Sequence, residues 1–267
     1  MQIADLLQKI IKETVKAKSA ALLLSGGVDS LSLGFACDAL GIKVHAYTFQ
    51  IGETRTEDSV SAERACLLMG WEYSLVKVPI VNLEKDFLIL ANEWGCKKKT
   101  QFECTFPFLH LIPQIKEKYV LSGIAADGHY GLSKKAMIHY RYPKEKFDLF
   151  RNNYFSQENP AGQVQQLSLL EYHGHIQCAP YLDKRVFDYF IQFDWDELNK
   201  PYQKYKVLTA YREKFQKVGR RPHMNLQLVA GVDHVFEKLL TSKLNLKNRT
   251  RVMDLCRDYS SPRKHAR

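Results

Sequence analysis

No stretch of this 267-residue chain is apolar enough for long enough to cross a bilayer, and no apolar segment with a cleavage signal precedes its first helix. A membrane role drops out and the expected setting is the cytoplasm. The six cysteines, at 37, 66, 96, 104, 178 and 256, include no Cys-x-x-Cys pair and no Cys/His grouping at zinc spacing. That excludes a zinc ribbon and a dithiol redox centre, and leaves reduced, mostly buried thiols as the simplest account. There is no Gly/Ser/Pro-rich linker to mark a domain boundary, and no convincing internal repeat. Acidic residues are short of balance, 29 Asp and Glu against 39 Lys and Arg, for a net charge of +10. Partners that carry negative charge qualify, among them nucleotides, pyrophosphate and nucleic acid. Part of the excess sits at Lys97-Lys98-Lys99, at Arg220-Arg221 and in the tail from Arg263 to Arg267, which has no apolar residue to order it.

What is present is enough for a full core, at 45% hydrophobic residues. A first amphipathic helix carries Ile3, Leu6, Leu7, Ile10, Ile11 and Val15 on one face. Ala20 to Ser25 reads as a buried strand, followed by a helix from Asp29 to Leu40 that Gly41 stops. Val44 to Phe49 is a second strand. Thr54-Arg55-Thr56-Glu57 has the form of a capping box opening a helix that ends at Gly70, and Tyr73 to Val78 is a third strand. A helix through Leu83, Phe87, Leu90 and Trp94 leads to another with Pro107 in its first turn, and Tyr119 to Ser122 supplies a fourth strand. Short buried strands alternating with helices predict a doubly wound, mostly parallel α/β sheet. From about 134 the composition turns aromatic, basic and helical: Asp183 caps one helix, and others fit 202–217 and 225–241. The expectation is a single domain over 1–267, with an α/β core at 1–133, a helical lobe at 134–250 packed on it, and a basic tail at 251–267.

Two glycine turns carry the chemistry. In Ser25-Gly26-Gly27-Val28-Asp29-Ser30 a buried strand runs through adjacent glycines into a helix, an arrangement that points backbone N–H groups and a helix dipole at an anion. It lacks the lysine of a Walker loop, so charge must be handled by Asp29 holding a metal and by basic residues from elsewhere. The second turn runs Ser122-Gly123-Ile124-Ala125-Ala126-Asp127-Gly128. If the two preceding strands are neighbours, about 5 Å apart, Asp29 and Asp127 face one crevice, and Mg²⁺ suits a site made of two carboxylates and phosphate oxygens. The plainer alternative is a strand and turn with no ligand, and two unrelated aspartates capping helices.

The first turn resembles the PP-loop of the ATP pyrophosphatases, which split ATP between its α- and β-phosphates. The second resembles the Leu-Ser-Gly-Glu-Gly-Ala-Asp-Glu-Leu-Phe-Gly signature of the asparagine synthetase and β-lactam synthetase family, in its synthetase domain. Tyr47 to Gly52, Asp58, Ala62, Leu68-Met69-Gly70, Pro180-Tyr181-Leu182-Asp183, Lys206-Val207-Leu208 and Gln227 to Val232 resemble further elements, so the likeness spans roughly residues 17–240. It implies an adenine nucleotide α-hydrolase-like fold. It also implies an ATP site made by Leu23, Ser25, Ile51, Ser122 and Gly123, with Gly26, Gly27 and Ser30 on phosphate and Asp29 and Asp127 on Mg²⁺-pyrophosphate. Lys206 would neutralise the charge on the acyl-adenylate and the leaving pyrophosphate, with Lys204 as the alternative two residues away.

Three departures bear on the reaction. The glutamate of Ser-Gly-Glu is Ile124, the acid after the aspartate is Gly128, and no glutaminase domain or cysteine after Met1 precedes the motif. Either another base is recruited, with His129 or Tyr130 as candidates and a plain loop histidine as the alternative for His129, or the acceptor needs none. The implied reaction is ATP-dependent adenylation of a carboxylate, pyrophosphate release and amide formation with an amine, free ammonia or ammonia from a partner subunit. Two alternatives stay open: adenylation of a nucleic-acid base or nucleotide, and an ATP-binding protein that has lost catalysis.

Overall fold

The apolar run after the first helix becomes the centre of the sheet because every residue from Ala20 to Leu23 is buried on one face or the other. In the computed structural model, which describes residues 2–96, 99–156, 164–219 and 232, the first helix is α1 (Ile3–Thr14) and the run is β1 (Ser19–Leu23). Lys97, Lys98, Arg220, Arg221, the helix expected over 225–241 apart from Val232, and the tail at 251–267 lie outside the described residues. Then follow α2 (Val28–Ala39), β2 (Lys43–Ile51), α3 (Glu57–Met69), β3 (Glu72–Val78), α4 (Leu83–Asn92), α5 (Lys99–Leu111) and β4 (Tyr119–Leu121). The second half supplies α6 (Ala126–Tyr130), α7 (Lys134–His139), α8 (Lys144–Phe155), α9 (Val164–Tyr172), β5 (Ile176–Cys178), α10 (Lys184–Phe190), α11 (Trp195–Asn199), α12 (Tyr205–Ala210) and α13 (Arg212–Val218).

Three local expectations are corrected. Thr56, not Thr54, caps α3: its hydroxyl accepts from Ser59 N at 3.1 Å while Ser59 Oγ accepts from Thr56 N at 3.0 Å. Pro107 lies inside α5 rather than in its first turn, at the cost of one helical hydrogen bond. A fifth strand, β5, joins the four expected.

The five strands are all parallel, in the order β3-β2-β1-β4-β5. Chain order therefore reverses between β1 and β4, where Ala21 pairs with Val120 and Leu22 with Leu121. A crevice opens beyond the carboxyl ends of strands at such a switch point. Alternation along β1 divides the interior: Ala20 and Leu22 face α1, α2, α10 and α12, whereas Ala21 and Leu23 face α4, α5 and α9. Phe147, Tyr181, Phe190, Trp195, Leu198 and Phe215 belong to the first of these clusters, so the helical second half shares a core with α1 and α2. Among the described residues no helix is long and apolar enough to cross a membrane.

Candidate active site

The first glycine turn is shaped by its own serines. Gly27 N donates to Ser25 Oγ at 3.3 Å, Ser30 Oγ donates to Gly27 O at 3.2 Å, and Ser25 N reaches Ser30 Oγ at 3.4 Å. Gly26 sits at φ +72°, and a Cβ there would lie 2.6 Å from Ser61 Cβ on α3. Position 26 thus admits glycine alone, and α3 seals the back of the turn. The second turn abuts the first: a Cβ on Gly123 would lie 3.2 Å from Asp29 Cβ and 3.2 Å from Ser30 N. Leu23 and Ile51 end β1 and β2 on the same side of the sheet, and Ser122 N donates to Cys178 O at 3.0 Å at the end of β4. Every sequence-predicted residue of the two turns is thereby brought to the β1/β4 switch point.

The lysine that arrives there is Lys204. Its ammonium donates to Asp29 Oδ2 and, at 2.9 Å, to Asp127 Oδ1, with the Tyr130 ring 5.4 Å away. Lys206 is not in the group: its ammonium lies 4.1 Å from the centroid of the Phe193 ring. Lys204 is 5% exposed and sits at φ +63°, a left-handed conformation that costs an L residue about 1–2 kcal/mol. The only other described non-glycine residue at positive φ is Ala125, in the second turn. Strain is gathered at one crevice, which makes it the candidate site.

Burial pushes the Asp29 carboxyl up to about 6, the Lys204 ammonium opposing the shift and the Asp127 charge adding to it. Burial tends to lower the Lys204 ammonium, but the two carboxylates outweigh it and hold the group above its ordinary value. Two carboxylates thus share one cation. Asp29 Oδ1 is buried with no hydrogen-bond partner among the described residues, an oxygen free to take a ligand. The pair fits Mg²⁺, which takes one or two carboxylates and completes its shell with water and phosphate oxygens.

Tyr181, in the Pro-Tyr-Leu-Asp element, ties the two halves together. Its hydroxyl donates to Ser32 Oγ at 2.8 Å, Ser32 in turn donates to Asp29 O at 2.7 Å, and His129 Nε2 donates to Tyr181 O at 2.8 Å. His129 is therefore a strut. It is fully buried, stacked on Phe155 and Phe190, and burial lowers its imidazole to about 3. A buried neutral imidazole makes a testable contribution. Between pH 6.5 and about 3 the unfolded chain binds a proton at this residue and the folded chain does not, so acidification costs up to roughly 1.4 kcal/mol per pH unit; above 6.5 the two forms are alike. Urea midpoints at pH 7 and pH 5 should therefore fall further apart in the native protein than in His129→Phe, and equal differences would contradict the strut.

Gly128 explains the absence of the second family acid. A Cβ there would run into the Tyr154 ring of α8, half-buried above the turn, and the Asp127 charge adds to burial in raising the Tyr154 phenol. Restoring the acid as Gly128→Glu should displace Tyr154 and lower stability by about 1–3 kcal/mol. Gly128→Glu combined with Tyr154→Ala should recover part of that loss in thermal melts; a single variant that melts with the native protein would count against the packing. Tyr154 and Ser32 belong to no motif, so no sequence signal points to either. Ile124 is buried and offers neither proton nor charge.

A parallel sheet whose reversed strand order brings a serine-braced glycine turn and a second turn to one crevice, each with an aspartate, defines the PP-loop class of α/β proteins. The family model described as asparagine synthase matches residues 2–171, and the chain belongs to that family. The match includes both turns and ends before Lys204. Among solved structures, the NH3-dependent NAD synthetase from Campylobacter jejuni subsp. jejuni NCTC 11168 in complex with the nitrate ion is similar at 14% identity. That likeness covers 89% of this chain and 92% of that one with a TM-score of 0.34, and nothing about this chain follows from a likeness of that size. No curated protein sequence matches the chain.

Proposed function

We propose that the chain adenylates a carboxylate with ATP, releases pyrophosphate and passes the acyl group to ammonia or an amine with release of AMP. One observation carries the reading: the Lys204 ammonium lies between Asp29 and Asp127 at the β1/β4 switch point. The N–H groups of the first turn and the start of α2 would cradle phosphate, helped by Ser25 and Ser30, and backbone groups at Leu23, Ile51, Ser122 and Gly123 would read adenine. Asp29 and Asp127 would hold Mg²⁺, which neutralises charge on the pyrophosphate. Lys204, released from the carboxylates by the incoming phosphates, would stabilise the charge that develops between the α-phosphate and the leaving group. Buried Ile124 and bare Gly128 leave no acid to receive an ammonium, which favours an acceptor that enters uncharged. Ammonia supplied by a partner subunit meets that demand.

The test is ATP–pyrophosphate exchange across a panel of carboxylic acids. Exchange should need Mg²⁺ and one acid of the panel, and Asp29→Ala or Asp127→Ala should reduce it by about 10³-fold or more. ATP binding without exchange for any acid would instead mean a nucleotide-binding protein without catalysis. The +10 charge supports the second reading, in which the adenylated group belongs to a nucleic acid. Steeply salt-dependent tRNA binding would move the assignment to it.

A further inference from the structure

Lys204 reaches the aspartates from a backbone conformation that an L residue adopts only when something holds it there. It stands at the start of α12 and has no side-chain cap of its own. What holds it is Asn199, the last residue of α11, 5% exposed. Asn199 Oδ1 accepts the Lys204 N–H at 3.4 Å. Its Nδ2 donates to Tyr130 O and to Trp195 O, each at 3.0 Å. Tyr130 O is the last carbonyl of α6, the helix whose first turn carries Asp127. A second link runs alongside, from Trp195 Nε1 to Gly131 O at 3.3 Å. The orphan carbonyls at the end of α6 are thus satisfied by side chains of α11, and the same amide that takes one of them fixes the turn bearing the lysine.

We propose that Asn199 is a positioning residue that sets the Lys204 ammonium against Asp127 by fastening the lysine turn to α6. The proposal takes Lys204 as the site lysine, as in the preceding reading. A carboxamide suits the task because it offers an acceptor to an N–H and donors to carbonyls at once; aspartate would set a charge against two carbonyl oxygens, and leucine would leave the N–H and the carbonyl of Tyr130 unmet in a dry place. No motif reveals it, since its partners are backbone groups.

The probe is magnesium pyrophosphate, titrated calorimetrically into the native protein, Asn199→Leu, Lys204→Met and the double variant. Asn199→Leu should weaken binding about tenfold in the native background and less than twofold once Lys204 is already Met, the non-additivity expected of residues acting through one group. Equal weakening in both backgrounds would mean a general structural role and would overturn the proposal, as would no weakening at all. Asn199→Ser, too short to span both partners yet still polar, replaces Asn199→Leu if the latter does not fold. If the native protein does not bind magnesium pyrophosphate, the functional reading above fails, and residue-resolved amide exchange decides the positioning claim separately. Exchange at Lys204 N–H should be slow in the native protein and fast in the Asn199 variant. Fast exchange in both would sink it.

Discussion

Lys204→Met should cut pyrophosphate release by about 10²–10³-fold, the loss typical of one preorganised charge or donor at a reacting centre, while Lys206→Met stays within about twofold of the native rate. The contrast follows from where the two ammonium groups lie. Lys204 is buried and donates to both aspartates, whereas Lys206 is half-buried beside an aromatic ring, a contact worth about 0.5–1 kcal/mol of stability. The variant also has a pH signature. Burial holds the Asp29 carboxyl near 6 with Lys204 pulling it down, so activity that needs the carboxylate should rise with pH through about 6 in the native protein. Loss of the ammonium should move that acid limb upward. The check is kcat/KM for pyrophosphate release in the native protein and both variants between pH 5 and 9. A Lys206→Met loss as large as that of Lys204→Met would refute the assignment.

Lys204 also shows what the sequence could and could not disclose. The β1 run, the glycines after it and the second Ser-Gly turn could be read directly, because a buried parallel strand is a continuous apolar stretch and a turn that approaches phosphate excludes side chains. Their adjacency needed only that β4 pair with β1. The lysine was another matter: positions 204 and 206 differ by half a turn, and the choice between them depends on a left-handed residue held by Asn199, which local propensity does not report. His129 reads as a loop histidine until α8 and α10 close over it with Phe155 and Phe190. The strand β5 is three residues long, Ile-Gln-Cys after a Gly-His turn, and has strand character only because β4 offers it an edge. Thr54 fits the capping-box spacing with Glu57, yet the hydroxyl that meets an N–H three residues on is that of Thr56. For the lysine, the histidine and β5 a tertiary neighbour, not the local pattern, decided.

Removing the Arg151 guanidinium should cost about 3 kcal/mol of stability, read as a fall of roughly 10 °C in melting temperature for Arg151→Met. Arg151 lies on α8 with no exposed surface, its guanidinium carbon 3.9 Å from the centroid of the Phe147 ring. Its Nη1 donates to Phe190 O at 2.7 Å, and its Nη2 to Phe193 O at 3.0 Å and Ile191 O at 3.2 Å, while Asp148 supplies the counter-charge. It therefore caps the carbonyl end of α10 from a neighbouring helix, where a cation meets the negative end of the helix dipole. Methionine fills the space and leaves three carbonyl oxygens without that donor. Lysine keeps the charge but has no planar fork, so Arg151→Lys should fall between the two. The effect should reach the crevice. α8 and α10 are the elements that press Tyr154 against Gly128 and Phe190 against His129, and Asp127 immediately precedes those two positions in the chain. The Arg151 variants should therefore bind magnesium pyrophosphate more weakly even below their melting range, with the lysine variant again intermediate. A methionine variant that melts with the native protein would show that α8 and α10 hold together without this cap.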